Sequence, residues 1–314
     1  MLMTIEASAP AKIILFGEHA AVYGQPALAV PVSTLRAYAE VCPNPDGLRG
    51  LHIDAPDLGQ HLPVDIHAET VDNALALTAK LVLQALSAPP PDVTIVLRSQ
   101  IPIASGLGSG SAVSTALARA LCLAVGRSPD LATLNHLVYE VEKIHHGTPS
   151  GIDNTVIVYE QPVYFVRNQP LETFTLGAPL TLLIGDTGIG ASTKIAVGDV
   201  RRLVETDAAA TLPIIQAIGE ISQMARAAIE RGDIQAVGQL MTENHALLCR
   251  LTVSSVELDH LVVTARQAGA VGAKLSGGGR GGNMIALVHA ENADDVVSAL
   301  RQAGAVRVVK TVLV

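Results

Sequence analysis

Three stretches of the 314-residue chain combine glycine with side chains able to grip a phosphate or move a proton. The first is Ile101-Pro102-Ile103-Ala104-Ser105-Gly106-Leu107-Gly108-Ser109-Gly110-Ser111, which runs straight into an Ala/Leu-rich helical pattern. Glycine lets main chain approach a ligand closely. A helix start adds unpaired N–H groups and the positive end of the helix dipole, so this stretch is a candidate anion cradle. It lacks the Gly-Lys-Ser/Thr of a P-loop, and Ser111 stands where a dinucleotide fingerprint wants its third glycine. The second stretch, Gly277-Gly278-Gly279-Arg280-Gly281-Gly282, matches G-x-G-x-x-G in its letters. The next residues, Asn283 to Val288, read as strand rather than helix. That context disfavours a nicotinamide dehydrogenase and points to a loop between strands that brings main chain against substrate or phosphate. The third stretch joins Glu142 to His146-Gly147-Thr148-Pro149-Ser150-Gly151-Ile152-Asp153-Asn154. Pro149 and the two glycines force a tight loop, and Asp153 is expected at the beginning of the next strand. Two carboxylates beside a phosphate cradle can divide the work, one holding Mg²⁺ and the other orienting or deprotonating a hydroxyl. A carboxylate in such a loop can equally be a turn or cap residue.

Near the N-terminus lie Pro10-Ala11-Lys12, Gly17-Glu18-His19 and Tyr23-Gly24. The chain has only six lysines, so one inside an apolar strand stands out. It can be an edge-strand lysine reaching for water, or a charge stabiliser near phosphate. His145 and His146 are adjacent on a helix and point different ways, which suits a favourable interaction with the helix C-terminus better than a metal pair.

The supporting strands and helices are read from periodicity. Strands are expected at Thr4 to Phe16, Thr34 to Val41, Val93 to Leu97 and Val156 to Val166, the last as strand or hairpin. Helices are expected at Asn73 to Leu86, at Ser109 to Val125, and from a Ser128 cap with Pro129 in the first turn to a stop at Gly147. In the second half, strands are expected at 180–185, 271–275, 283–289 and 306–312, and helices at 212–231, 234–251, 255–268 and 293–303. Strands and helices interleaved in this way suggest an α+β sandwich. The weakly patterned connection 167–179 is the expected domain boundary, giving domains 1–175 and 176–314.

Composition narrows the function classes. A hydrophobic fraction of 49% with 16% charged residues is that of a globular chain, not a disordered one. The net charge of −8, without a basic run, and the 3% aromatic content disfavour nucleic acid as a partner. Charged residues break every apolar stretch before it reaches the ~18 residues of a membrane span, and the start of the chain is unlike a signal peptide. Cys42, Cys122 and Cys249 form no CxxC or zinc spacing and read as free thiols. A cytoplasmic enzyme, with a homodimer left open, is the expectation.

Taken together, these residues resemble the GHMP small-molecule kinase superfamily. Its three motifs stand in order as the Pro10-Ala11-Lys12 strand, the Gly106-Leu107-Gly108-Ser109 loop and the Lys274-Leu275-Ser276-Gly277-Gly278-Gly279 loop. Within the superfamily, the stretch from Phe16 to Ala29, the run Glu142 to Asn154, and Val253-Ser254-Ser255 with Leu258-Asp259 are most similar to the mevalonate kinases. The resemblance implies a ribosomal-protein-S5-domain-2-like N-terminal domain and a ferredoxin-like C-terminal domain. It implies ATP as donor, Mg²⁺ as cofactor and mevalonate as acceptor, in the mevalonate pathway of isoprenoid biosynthesis. By the same resemblance Asp153 is the catalytic base and Lys12 stabilises transferred charge. Glu142, with Ser109, holds Mg²⁺. Ser105, Gly106, Leu107, Gly108, Ser109, Gly110 and Ser111 bind the nucleotide phosphates, and Glu18, His19, Thr193, Gly278 and Arg280 lie on the substrate side.

Three departures stand out. Gly110 replaces a serine often cited as a Mg²⁺ ligand, so Ser109, Ser111 or water is left to substitute. Arg280 stands where glycine is common, either paired with phosphate or substrate carboxylate or as a solvated loop residue. Asn283 stands where cysteine is frequent. The alternatives are another GHMP kinase, with a phosphomevalonate or sugar acceptor, and a non-catalytic nucleotide-binding sensor.

Overall fold

The computed structural model describes residues 5–68, 71–103, 105–146, 149–190 and 192–314. Ala104, Gly147 and the side chains of His145 and His146 fall outside these, so the helix stop at Gly147 and the histidine pair do too. No helix among the described residues is long and apolar enough to cross a membrane.

The chain groups into two compact units that alternate along the sequence. One comprises residues 1–12, 35–103 and 108–160, and the other residues 13–34, 104–107 and 161–314. Residues 13–34, 104–107 and 161–175 group with the C-terminal half. Strands β1 (Ile5–Phe16) and β2 (Ala27–Pro43) pair and pass from one unit into the other.

In the first unit, β5 (Val93–Ser99) pairs antiparallel with β2 and parallel with β3 (Leu51–Ala55), and β4 (Gln60–Pro63) closes the edge. These last two strands carry His52, Asp54, Gln60 and His61, too little apolar pattern to show in the sequence. Helix α2 (Ser109–Val125) is the hub, with α1 (Ala74–Ala85), α3 (Leu131–His146) and α4 (Ile152–Tyr159) packed on it. Its small residues Ala112, Ala116 and Ala120 are fully buried, which lets neighbouring helices come close. Gly126 at φ 67° ends it, donating to Cys122 O and Leu123 O. The expected cap of α3 moves by two residues: Asp130 Oδ1, not Ser128, accepts the Thr133 N–H at 2.7 Å.

Residues 152–159 form a helix, not the expected strand, with a short strand β6 (Val163–Phe165) after it. Ile152, Thr155, Val156, Ile157 and Val158 read as strand by β-branching, but tertiary burial overrides that preference. Thr155 Oγ1 donates to Gly151 O at 2.6 Å, and Asn154 Nδ2 donates to Asn135 Oδ1 at 2.6 Å, tying α4 to α3.

In the second unit, β6 extends the first sheet through Ala27–Ala29 of β2 and carries β7 (Glu172–Thr173). A separate antiparallel sheet has the order β11-β8-β10-β9, from β8 (Leu180–Asp186), β9 (Gly272–Ser276), β10 (Asn283–Val288) and β11 (Arg307–Leu313). This is the strand order of the split βαβ or ferredoxin-like arrangement. Around it lie α5 (Thr193–Thr206), α6 (Ala208–Glu230), α7 (Ile234–Arg250), α8 (Val256–Gln267) and α9 (Ala293–Gln302). Leu248, Leu258, Leu261, Leu275, Ala286 and Leu300 share one core. Each such leucine contributes about 1.5–3 kcal/mol by burial, which outweighs helix propensity in holding these elements.

Candidate functional site

In the first unit the site grows from one lysine. Lys12 sits on β1 with its side chain 4% exposed, and its Nζ lies 2.9 Å from Asp153 Oδ1. Asp153 stands in the first turn of α4, just after Gly151 at φ 91°. The helix N-terminus favours its negative charge there, and 30% side-chain exposure leaves it open to a ligand. Gly108 closes over the same lysine. A Cβ on Gly108 would stand 3.0 Å from Lys12 Cγ and 2.8 Å from Ile157 Cδ1, and its φ is +75°. Only glycine suits both the conformation and the space. The main chain of the phosphate-loop stretch therefore rests directly on the Lys12 side chain that reaches Asp153.

Gly108 O accepts the Ala112 N–H as the first bond of α2, so the N–H groups of Ser109, Gly110 and Ser111 have no intrahelical partner. Open N–H groups at a helix start are the donors an anion cradle needs. Gly110 is exposed and Ser109 half-buried, whereas Ser111 is buried with no hydrogen-bond partner for its Oγ among the described residues. Glu142 is buried on α3 at 3% exposure. A carboxylate and an orphaned hydroxyl are hard oxygen donors, so the residues present fit Mg²⁺.

In the second unit, Ser105, Gly106, Thr193 and Gly278 border a shallow depression. Thr193 opens α5, capped by Ser192 Oγ on the Ile195 N–H. A Cβ on Gly278 would meet Thr193 Oγ1 at 2.8 Å, so this loop needs glycine for close approach. His19 lies beside it at φ 62°, with Nε2 donating to Gly278 O at 3.0 Å. A carbonyl only accepts, so the proton is on Nε2, and the buried Nδ1 has no partner among the described residues. Burial, foremost, and the charges of Arg280 and Lys274 bring the His19 pKa down to about 4, against the Gly278 bond.

Because the unfolded reference is 6.5, His19 contributes stability that is present above pH 6.5 and lost as pH falls toward 4. The full effect is about 3 kcal/mol. His19→Gln should show a shallower loss of denaturation midpoint than the native chain between pH 7 and 4.5. Parallel curves would remove His19 from the acid response.

Glu18 and Lys274 form a buried ion pair, and Lys274 Nζ also donates to Leu275 O at 2.6 Å. Burial pushes the lysine pKa down, and Glu18 opposes the shift. Glu18 thus braces the third glycine loop at its root. The Arg280 guanidinium pairs with Asp199 on α5 and donates to Thr252 O at 3.3 Å.

The family profile described as "GHMP kinases N terminal domain" matches residues 73–161, and "GHMP kinases C terminal" matches residues 225–306. The chain belongs to the GHMP kinase family. It is an ATP-dependent small-molecule kinase. This GHMP kinase is 35% identical to the mevalonate kinase of Thermococcus sibiricus, over 98% of its own length and 96% of the relative's. It also resembles the crystal structure of L. major mevalonate kinase in complex with R-mevalonate, at TM-score 0.84 and 29% identity, covering 99% and 96% of the two chains. The Methanococcus jannaschii mevalonate kinase structure superposes at TM-score 0.87 with 25% identity, covering 98% of each chain.

Sequence reasoning missed Asp199, the packing of Gly108 on Lys12, and the cluster His245, Cys249 and Asp259 on α7 and α8. In that cluster His245 Nδ1 accepts the Leu275 N–H at 3.3 Å, so Nε2 keeps its proton and faces Asp259 Oδ1 at 3.3 Å. A protonated Nε2 offers no lone pair to a cation, so the trio braces β9 rather than binding metal.

Proposed function

We propose that this GHMP kinase transfers the γ-phosphoryl group of ATP to the C5 hydroxyl of mevalonate, giving 5-phosphomevalonate and ADP. The observation that carries the chemistry is the Lys12–Asp153 pair with Gly108 packed on the lysine. The acceptor is inferred from the mevalonate kinase relatives, which match over nearly the whole chain.

In this reading Asp153 takes the hydroxyl proton as the C5 oxygen bonds to the γ-phosphorus, and the bond to the β–γ bridging oxygen breaks to release ADP. Lys12 offsets charge on the phosphoryl oxygens and orients Asp153. The amides of Gly106 to Ser111 hold the phosphates. Glu142, with Ser109 or the orphaned Ser111 hydroxyl, would hold Mg²⁺, which when bound neutralises phosphate charge. His19, Thr193 and Gly278 form the acceptor side. Glu18 and Arg280 act on that side through Lys274 and Asp199. The reading includes a cytoplasmic location, which three cysteines outside any disulfide support.

An acceptor panel tests it. With ATP and Mg²⁺, ADP release is expected with mevalonate and at least about 100-fold less, by kcat/KM, with phosphomevalonate, galactose or homoserine. Preference for phosphomevalonate or a sugar would reassign the acceptor. Nucleotide binding without turnover on any of them would favour a sensor.

A further inference from the structure

We infer that Asn283 is a positioning residue for the nucleotide: its side-chain amide locks the Ser105–Gly106 peptide so that the Gly106 N–H stands ready for a phosphate oxygen. The inference rests on the nucleotide-binding reading of the 106–111 loop and adds to it a residue outside the three glycine motifs.

Asn283 is the first residue of β10. Its main chain is held on both sides, opposite Ser276 of β9 and Asp186 of β8. The residue is 2% exposed. Its Nδ2 donates to Ser105 O at 2.5 Å, a contact spanning 178 residues of sequence. A carbonyl oxygen accepts only, so the amide nitrogen must face it. The neighbouring glycines bring the backbones together: a Cβ on Gly282 would stand 3.4 Å from Ser105 O, and one on Gly277 would stand 3.9 Å from Gly106 O.

Across a planar trans peptide the C=O and the adjoining N–H point in opposite directions. Fixing Ser105 O on Asn283 therefore aims the Gly106 N–H away from β10. The bond opposes a flip of this peptide, which Gly106 at φ +80° would tolerate because glycine populates both signs of φ. A flipped plane would present a carbonyl oxygen where a donor is needed, repelling phosphate. The third loop is held in turn by its own contacts, such as Thr187 N to Gly282 O.

The test uses Asn283→Leu, which keeps the shape and removes the donor, and Asn283→Cys, a smaller side chain with a weak donor. ADP affinity is measured by calorimetry, KM is measured for ATP and for the acceptor, and thermal midpoints are recorded. The expected result is ADP affinity and ATP KM weakened about 5- to 30-fold in Asn283→Leu, with acceptor KM within two-fold of native and Asn283→Cys intermediate. Native-like ADP affinity in both variants overturns the inference, as does a loss that falls equally on ATP and acceptor KM with a lowered midpoint, since that marks a merely structural role. Failure of the native chain to bind ADP would instead overturn the nucleotide reading itself.

Discussion

Asp153→Asn is expected to fold, to bind ATP about as well as the native chain, and to lose about 10²–10⁴-fold in kcat, the usual contribution of a positioned general base. Asparagine keeps an Oδ1 in place to accept from Lys12, whose side chain is only 4% exposed and would otherwise be left a buried, uncompensated charge. The substitution therefore removes proton acceptance while sparing the pair's geometry. A coupled ADP-release assay, read beside a thermal midpoint and nucleotide binding, is the measurement. Undiminished turnover would take Asp153 out of the mechanism, and a collapsed midpoint would show that the pair serves folding first.

Lys12→Met carries the second large effect. Methionine matches the lysine stem, so the surface on which Gly108 rests survives while the ammonium is lost. Turnover should fall about 10²–10³-fold, as when one electrostatic donor is removed from a developing charge. Nucleotide affinity should change far less, because the amides of the loop remain. If affinity falls by the same factor as kcat/KM and kcat does not change, Lys12 binds ground-state phosphate rather than the transition state.

Much of this was legible in the sequence where one residue type carries one message. The limits of α2 are marked by Ser109 and Gly126, and Lys12 stood out as one of six lysines placed within an apolar strand. Strands interleaved with helices after residue 180, some of them adjacent in sequence, pointed to the α+β class that the second sheet and its helices show. What was not legible depends on partners remote in sequence. Helix α4 is written in β-branched residues and is decided by burial against α2 and α3. Helix α5 carries its stripe at Ala196, Val200, Leu203 and Val204, but Gly198 and an exposed polar first turn mask its start. Glu18 and Lys274 are 256 residues apart, and Arg280 and Asp199 are 81 apart, so neither pairing has a local signature. The same holds for Arg119 and Glu160, which meet beside Arg36.

The alternating chain path limits how such enzymes can be recombined. Residues 13–34 and 104–107 pack with the C-terminal portion although they lie early in the chain. A chimera joined at a single late crossover would graft one parent's tail onto another parent's Gly-Glu-His segment, so that Glu18 and the lysine it pairs with would come from different parents. A viable exchange between relatives must carry three separate inserts at once.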